Sequence, residues 1–163
     1  MVRFGRRKLP AVVAAVALDA GERRLAWALT VSGEAVAATD LGLRLPGAAR
    51  IDWPDVERAS WQRPLLTVLR IATVARAGER RQVELADGSD LPEVVRSRVT
   101  ASISWSAHYR LRPSGGVLVV GRRRPGWELL DWQLVYDPDT DPQDERQRAQ
   151  AEGLLLYARR TIG

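Results

Sequence analysis

The chain has 163 residues, 45% hydrophobic and 28% charged, a length and balance that suit one domain with a sizeable core. It holds no cysteine, which excludes disulfides, thiolate chemistry and cysteine-based metal sites. No apolar run approaches the roughly 20 residues that a membrane-crossing helix needs.

The net charge of +5 is unevenly spread: residues 61–125 are strongly basic and residues 126–163 acidic. Of 25 basic residues, 24 are arginine and only Lys8 is lysine. A GC-rich coding sequence accounts for that preference; bidentate phosphate recognition is the sharper alternative.

The elements read as follows in chain order. Arg3, Arg6, Arg7 and Lys8 precede the weakly apolar run Leu9–Leu18, with Ala15-Val16-Ala17 resembling a signal-peptidase site. Pro10 at a first helical position and Gly21 at a C-terminal cap predict instead about three turns of helix. A retained N-terminus and a cytoplasmic protein are therefore expected. Residues 1–20 form a basic arm and helix, and residues 21–163 one α+β domain.

Arg23–Val31 alternates, with Leu25, Trp27, Leu29 and Val31 on one side and Ala26, Ala28 and Thr30 on the other, a half-buried strand. Ala35–Leu45 is the second strand. Pro54 forbids a regular central strand in Ile51–Ser60 and predicts an edge, a bulge or a short turn. Leu65–Ile71 and Arg81–Leu85 complete a run of five strands.

A helix follows from Leu91, with Asp90 and Glu93 at capping-box spacing. Then Ile103, Trp105, Ala107, Tyr109 and Leu111 alternate strictly with Ser104, Ser106, His108, Arg110 and Arg112. With Val117–Arg123 and Trp127–Tyr136 this predicts a three-stranded meander. A last helix starts after Asp141 with Pro142 in its first position, burying Ala151, Leu154, Leu155, Ala158 and Ile162.

Several constellations invite chemistry and each has a plainer explanation. His108 is the sole histidine, so no two-histidine metal site exists, and no acid is evident to orient a Ser104–His108 or Ser106–His108 pair. Asp137-Pro138-Asp139-Thr140-Asp141 fails the calcium-loop pattern, because its sixth and twelfth positions are Pro142 and Arg148. Gly115, Gly116 and Gly121 fit no nucleotide-binding spacing. Arg110 and Arg112 lie at one end of their hairpin and Arg122, Arg123 and Arg124 at the other, some 20 Å apart. Solvated arginines paired with the acidic C-terminal segment are expected there. No catalytic residue, metal ligand or cofactor is expected. Among six tryptophans, Trp27, Trp105 and Trp132 are read as core, while Trp53, Trp61 and Trp127 sit near turns.

Four segments carry a family resemblance: Gly21-Glu22-Arg23-Arg24-Leu25-Ala26-Trp27; Val36 to Leu45 with its Thr39-Asp40; Arg50 to Ala59 with Trp53 and Val56; and Leu65-Leu66-Thr67-Val68. Between Gly21 and Val99 the chain resembles bacterial pleckstrin-homology-like (PH-like) and GRAM-like domains, and as a whole it resembles a group of actinobacterial proteins of this length. The resemblance implies a mainly antiparallel barrel or sandwich over about 21–103; the meander and helix read above follow it over about 103–163. Such domains have seven strands and a closing helix, whereas five strands are read here before the helix and three after it. The resemblance implies binding of peptides, proteins or lipid headgroups rather than catalysis. The expected function is thus a non-enzymatic interaction or scaffolding module with a protein partner. The alternative is a peripheral binder of nucleic acid or anionic membrane through Arg3, Arg6, Arg7 and Lys8.

Overall fold

A computed structural model describes residues 8–72, 77–86 and 88–163. The fold is α+β, with three antiparallel sheets and three helices. The chain clusters into two compact units that divide at Arg98 and Val99.

The first unit opens on α1 (Ala11–Ala14), one turn rather than the expected three. Pro10 precedes that turn instead of starting it, and no side chain caps it. The chain is drawn off the helical path by Asp19 and Glu22, which are tied to arginines further along. Glu22 has a fully enclosed side chain. It accepts from Arg44 Nη2 at 2.5 Å, the Thr39 hydroxyl at 2.6 Å and the Asp19 backbone N–H at 2.8 Å. Arg50 bridges Asp19 at 2.5 Å and Asp52 at 2.7 Å. Burial alone would raise the Glu22 carboxyl; the bonds from Arg44, Thr39 and Asp19 outweigh it and hold the pKa at about 2 instead of 4.5.

Four strands follow: β1 (Arg24–Leu29), β2 (Ala35–Thr39), β3 (Gly42–Arg44) and β4 (Ile51–Asp52), in sheet order β1-β2-β3-β4. The expected long strand Ala35–Leu45 is broken in two. The Thr39 hydroxyl accepts from the N–H groups of Leu41 and Gly42, and Asp40 accepts from Arg23 N, which fixes a turn at that point. A side chain at Gly42 would collide with the Ile51 carbonyl, so the return strand needs glycine there. The burial of β1 is the reverse of that expected. Ala26, Ala28 and Thr30 are enclosed, while Leu25 is 37% and Val31 60% exposed. β1 pairs Ala26 with Ala38 and Ala28 with Val36. Val36, Ala37 and Ala38 are all fully buried, so β2 is covered on both faces. α1, with its buried Val13, packs against it.

Trp53-Pro54-Asp55 forms a single 3-10 turn, the short turn that Pro54 required. Trp53 is 4% exposed and donates its indole N–H to the Thr39 carbonyl at 3.0 Å, so this tryptophan belongs to the core. A second sheet follows, order β5-β6-β7, from β5 (Val56–Gln62), β6 (Leu65–Arg70) and β7 (Glu79–Glu84). Among the described residues seven strands therefore precede α2 (Leu91–Ala101), not five. One bridge, Thr30 to Leu85, links the two sheets at a corner, supported by Val31 N–H to Glu84 O and Ala86 N–H to Leu29 O. α2 buries Leu91, Val95 and Val99.

The second unit is the meander β8 (Ile103–Arg110), β9 (Gly116–Arg122) and β10 (Asp131–Tyr136), followed by α3 (Glu145–Ile162). β9 is central. The predicted alternation of β8 is present: Ile103, Trp105, Ala107 and Tyr109 are half-buried and the intervening residues exposed. Trp105 and Trp132 are ring neighbours at 5.5 Å, half-buried rather than enclosed. β10 begins four residues later than expected, because Arg124-Pro125-Gly126-Trp127 closes as a turn and Trp127 and Leu129 stay in the loop. α3 also begins later. Its N-cap is Asp144, whose carboxylate accepts from Gln147 N, leaving Pro142 before the helix. The helix buries Gln147, Ala151 and Ala158, with Leu154 partly covered and Ile162 exposed at the end.

Candidate functional site

A surface groove of the first unit lies where β5 meets α2. Among the described residues β5 is the outer strand of its sheet, paired with β6. An edge strand offers backbone donors and acceptors to a further strand. Along β5 the pattern is mostly exposed, ending Ser60-Trp61-Gln62. Trp61 pairs directly across from Leu66, and Ala59 from Val68. Leu66 and Val68 are each 1% exposed, so the phase of the strand turns Trp61 toward the core side. Trp61 lies at the open end of the sheet and remains 37% exposed.

α2 supplies the opposite wall. Its start is fixed by Ser89, whose hydroxyl donates to the Trp27 carbonyl at 2.7 Å and accepts from Leu91 N at 3.0 Å. Pro92 is buried, and Glu93 and Arg96 are exposed. The resulting groove has a volume of about 490 Å³ and is lined by Ala59, Ser60, Trp61, Leu66, Pro92, Glu93 and Arg96. Trp61 and Pro92 also line a neighbouring depression of about 30 Å³ with Arg63 and Ser89. Two other grooves of the first unit, one under α1 beside Leu45 and Pro46 and one beside Val31 and Arg81, lack an aromatic wall. The β5–α2 groove combines an exposed indole, an apolar floor, a cation and an edge strand.

The residues singled out from sequence fall elsewhere. Arg3, Arg6 and Arg7 lie outside the described residues, and Lys8 is exposed. His108 has an acid partner after all. Its Nε2 lies 2.8 and 3.0 Å from the two Asp137 carboxylate oxygens, at a half-exposed position. The acid was invisible in sequence because it comes from the end of β10, two strands away. Thr140 of the same acidic stretch is buried, its hydroxyl bonded to the N–H and carbonyl of Gly116. The segment Asp137–Thr140 thus clips the β8–β9 hairpin. Among the described residues no group of three or more His, Asp or Glu side chains is placed to hold a metal ion.

Arg122, at the end of β9, departs from expectation. Arg122 is 2% exposed and donates to Gln133 Oε1 at 2.9 Å and to Ser102 Oγ at 2.7 Å, so it is a core residue and not a solvated one. Arg124 pairs with Asp131 at 2.7 Å and lies over the Trp127 ring at 5.3 Å, which agrees with pairing to the acidic segment.

Trp61 was legible only as a tryptophan near a turn. The usable signal was its setting, one large aromatic among the polar residues Arg58, Ser60, Gln62 and Arg63. The chain matches no protein-family model, no curated protein and no solved structure.

Proposed function

We propose that this chain is a non-enzymatic, cytoplasmic PH-like interaction module that binds a protein partner in the groove between β5 and α2. The observation that carries the reading is Trp61, an exposed indole on an edge strand beside a helix. An extended segment of the partner adds beside β5 through main-chain hydrogen bonds, places an apolar side chain against Trp61, and sets an acidic one near Arg96. This mode draws affinity from the backbone and specificity from alternate side chains. Aromatic and arginine residues are the side chains that most often carry interface energy. The count of elements in the first unit, seven antiparallel strands in sheets of four and three followed by one helix, supports the PH-like assignment. Among the described residues no helix is long and apolar enough to cross a membrane.

Selection from a displayed random-peptide library, followed by calorimetry on the enriched sequences, tests the proposal. Enriched peptides bind the native chain and lose about tenfold or more in affinity with Trp61→Ala and with Arg96→Glu. Arg96 is exposed, so its reversal leaves folding intact. Enriched peptides that bind both variants as tightly as the native chain would place the site elsewhere.

A further inference from the structure

A second surface, on the other unit, is independent of that groove. Among the described residues β8 is the outer strand of its sheet, paired with β9. It is 8 residues long, carries no lysine or proline, and has its bulge at the Ile103 end. Shortness, lysine and proline are the usual guards of a sheet edge, so residues 105–110 form an unguarded one. Leu111 donates its N–H to Gly115 O, which turns the main chain of the odd-numbered residues toward β9. Along an antiparallel strand that direction alternates, so Ser106 and His108 turn their N–H and C=O groups to the open edge. Among the described residues no hydrogen bond of another segment closes those groups. α3 packs on β9 and β10. Trp105, Ala107 and Tyr109, on the face that α3 covers, stay half-buried.

The residue order of β8 selects the occupant, because the strand is complementary to itself. We propose that β8 pairs antiparallel with β8 of a second copy of this chain, about a two-fold axis at Ala107. The axis sets Ala107 against Ala107 in a non-hydrogen-bonded pair, where side chains come closest and methyl groups fit. To either side Trp105 of each copy meets Tyr109 of the other, an aromatic pair made twice. On the opposite face Ser106 meets His108 and Ser104 meets Arg110, so no charge stands directly opposite its like. Ser106 and His108 exchange both of their outward main-chain hydrogen bonds. Moving the axis to His108 sets imidazole against imidazole, and moving it to Ser106 sets Trp105 against Ala107. The pairing is isologous and joins two three-stranded sheets into one. One strand per subunit buries little area by the standard of stable dimers, so the association is weak and reversible.

Sedimentation equilibrium of the full chain from about 5 to about 500 µM, the range in which a weak interface is populated, shows a monomer–dimer equilibrium. Ser106→Lys places a charge on the exposed edge, leaves the melt of the monomer unimpaired and weakens the dimer about tenfold or more. Ser106→Pro removes an N–H that β9 does not use and acts in the same direction. Deuterium uptake at the Ser106 and His108 amides slows as concentration rises, while that at Ala107, already bonded to β9, does not change. The chain has no native cysteine, which makes the register readable. On oxidation Ala107→Cys cross-links to itself ahead of Ser106→Cys and His108→Cys, because the spacing of the axis pair suits a disulfide. A chain that stays monomeric throughout the range overturns the proposal. So does a dimer indifferent to both Ser106→Lys and Ser106→Pro, or self-cross-linking of Ser106→Cys or His108→Cys ahead of Ala107→Cys.

Discussion

Strands β1 and β8 have the same period and bury opposite kinds of side chain. In β8 the larger apolar residues Trp105 and Tyr109 turn toward the covered side, and Ser104, Ser106, His108 and Arg110 face out. In β1 the small residues Ala26 and Ala28 are enclosed, and Leu25 and Val31 are left exposed. The cause is what lies beside each strand. β1 sits next to β2, whose Val36, Ala37 and Ala38 have no exposure on either face. That close-packed layer has room for methyl groups and not for isobutyl groups or indoles. β8 faces its partners through rings, with Trp105 against Trp132. Alternation sets the period of a strand, whereas its phase is set by polarity contrast where there is one and by available volume where there is none.

The comparison can be broken at several places. The largest effect belongs to Trp53, the one tryptophan fully built into the first unit. Trp53→Ala costs about 4 kcal/mol in guanidinium unfolding, whereas Trp105→Ala, half-buried in the meander, costs about 3 kcal/mol. Equal or inverted losses would mean that the small-residue layer does not depend on its indole anchor.

Acid provides the next test. The Glu22 carboxyl titrates at about 2 in the folded chain against 4.5 when free, a difference worth about 3 kcal/mol. Since the folded value is the lower one, this stabilisation is complete above pH 4.5 and is lost as pH falls toward 2. Glu22→Gln flattens that acid limb in a pH series of denaturant melts. A limb of unchanged height in the variant would assign it to other carboxylates.

Ala28→Leu sharpens the contrast directly. It adds apolar surface to a position 1% exposed and destabilises by about 2 kcal/mol through overpacking. Leu25→Ala, which removes apolar surface nearby, costs less than about 1 kcal/mol. A stabilising Ala28→Leu in thermal melts would restore the large-residue face as the core. The smallest effect is that of His108→Ala, below about 1 kcal/mol, since its pairing with Asp137 is half-exposed. A loss as large as that of Trp105→Ala would show that the phase of β8 is wrong.

These cases indicate what was legible. The meander was readable from residue order because serine, histidine and arginine alternate with aromatics, and the 3-10 turn because Pro54 cannot donate. The break at Thr39–Gly42 was not, since it depends on a hydroxyl bonded to Glu22, 17 residues away. The first helix was overestimated because its capping residues were counted without the ion pairs that draw Asp19 and Glu22 elsewhere. For the groove, β5 and β6 were foreseeable as a pair. The placement of Pro92 and Arg96 against them depends on Ser89 bonding to Trp27, 62 positions away. The chemistry anticipated at the N-terminal arm rested on residues that the described structure scarcely includes.

The bridge at Thr30 and Leu85 has a consequence for motion. That seam joins the two sheets of the first unit and is closed by Val31 N–H to Glu84 O and Ala86 N–H to Leu29 O. Rupturing it frees β7 along one side while β5 and β6 stay paired, so the seam divides the unit into two segments able to open separately. Native-state deuterium uptake reads this as a shared protection factor for Val31 and Ala86, lower than that of Val36 and Leu43 in the sheet interior.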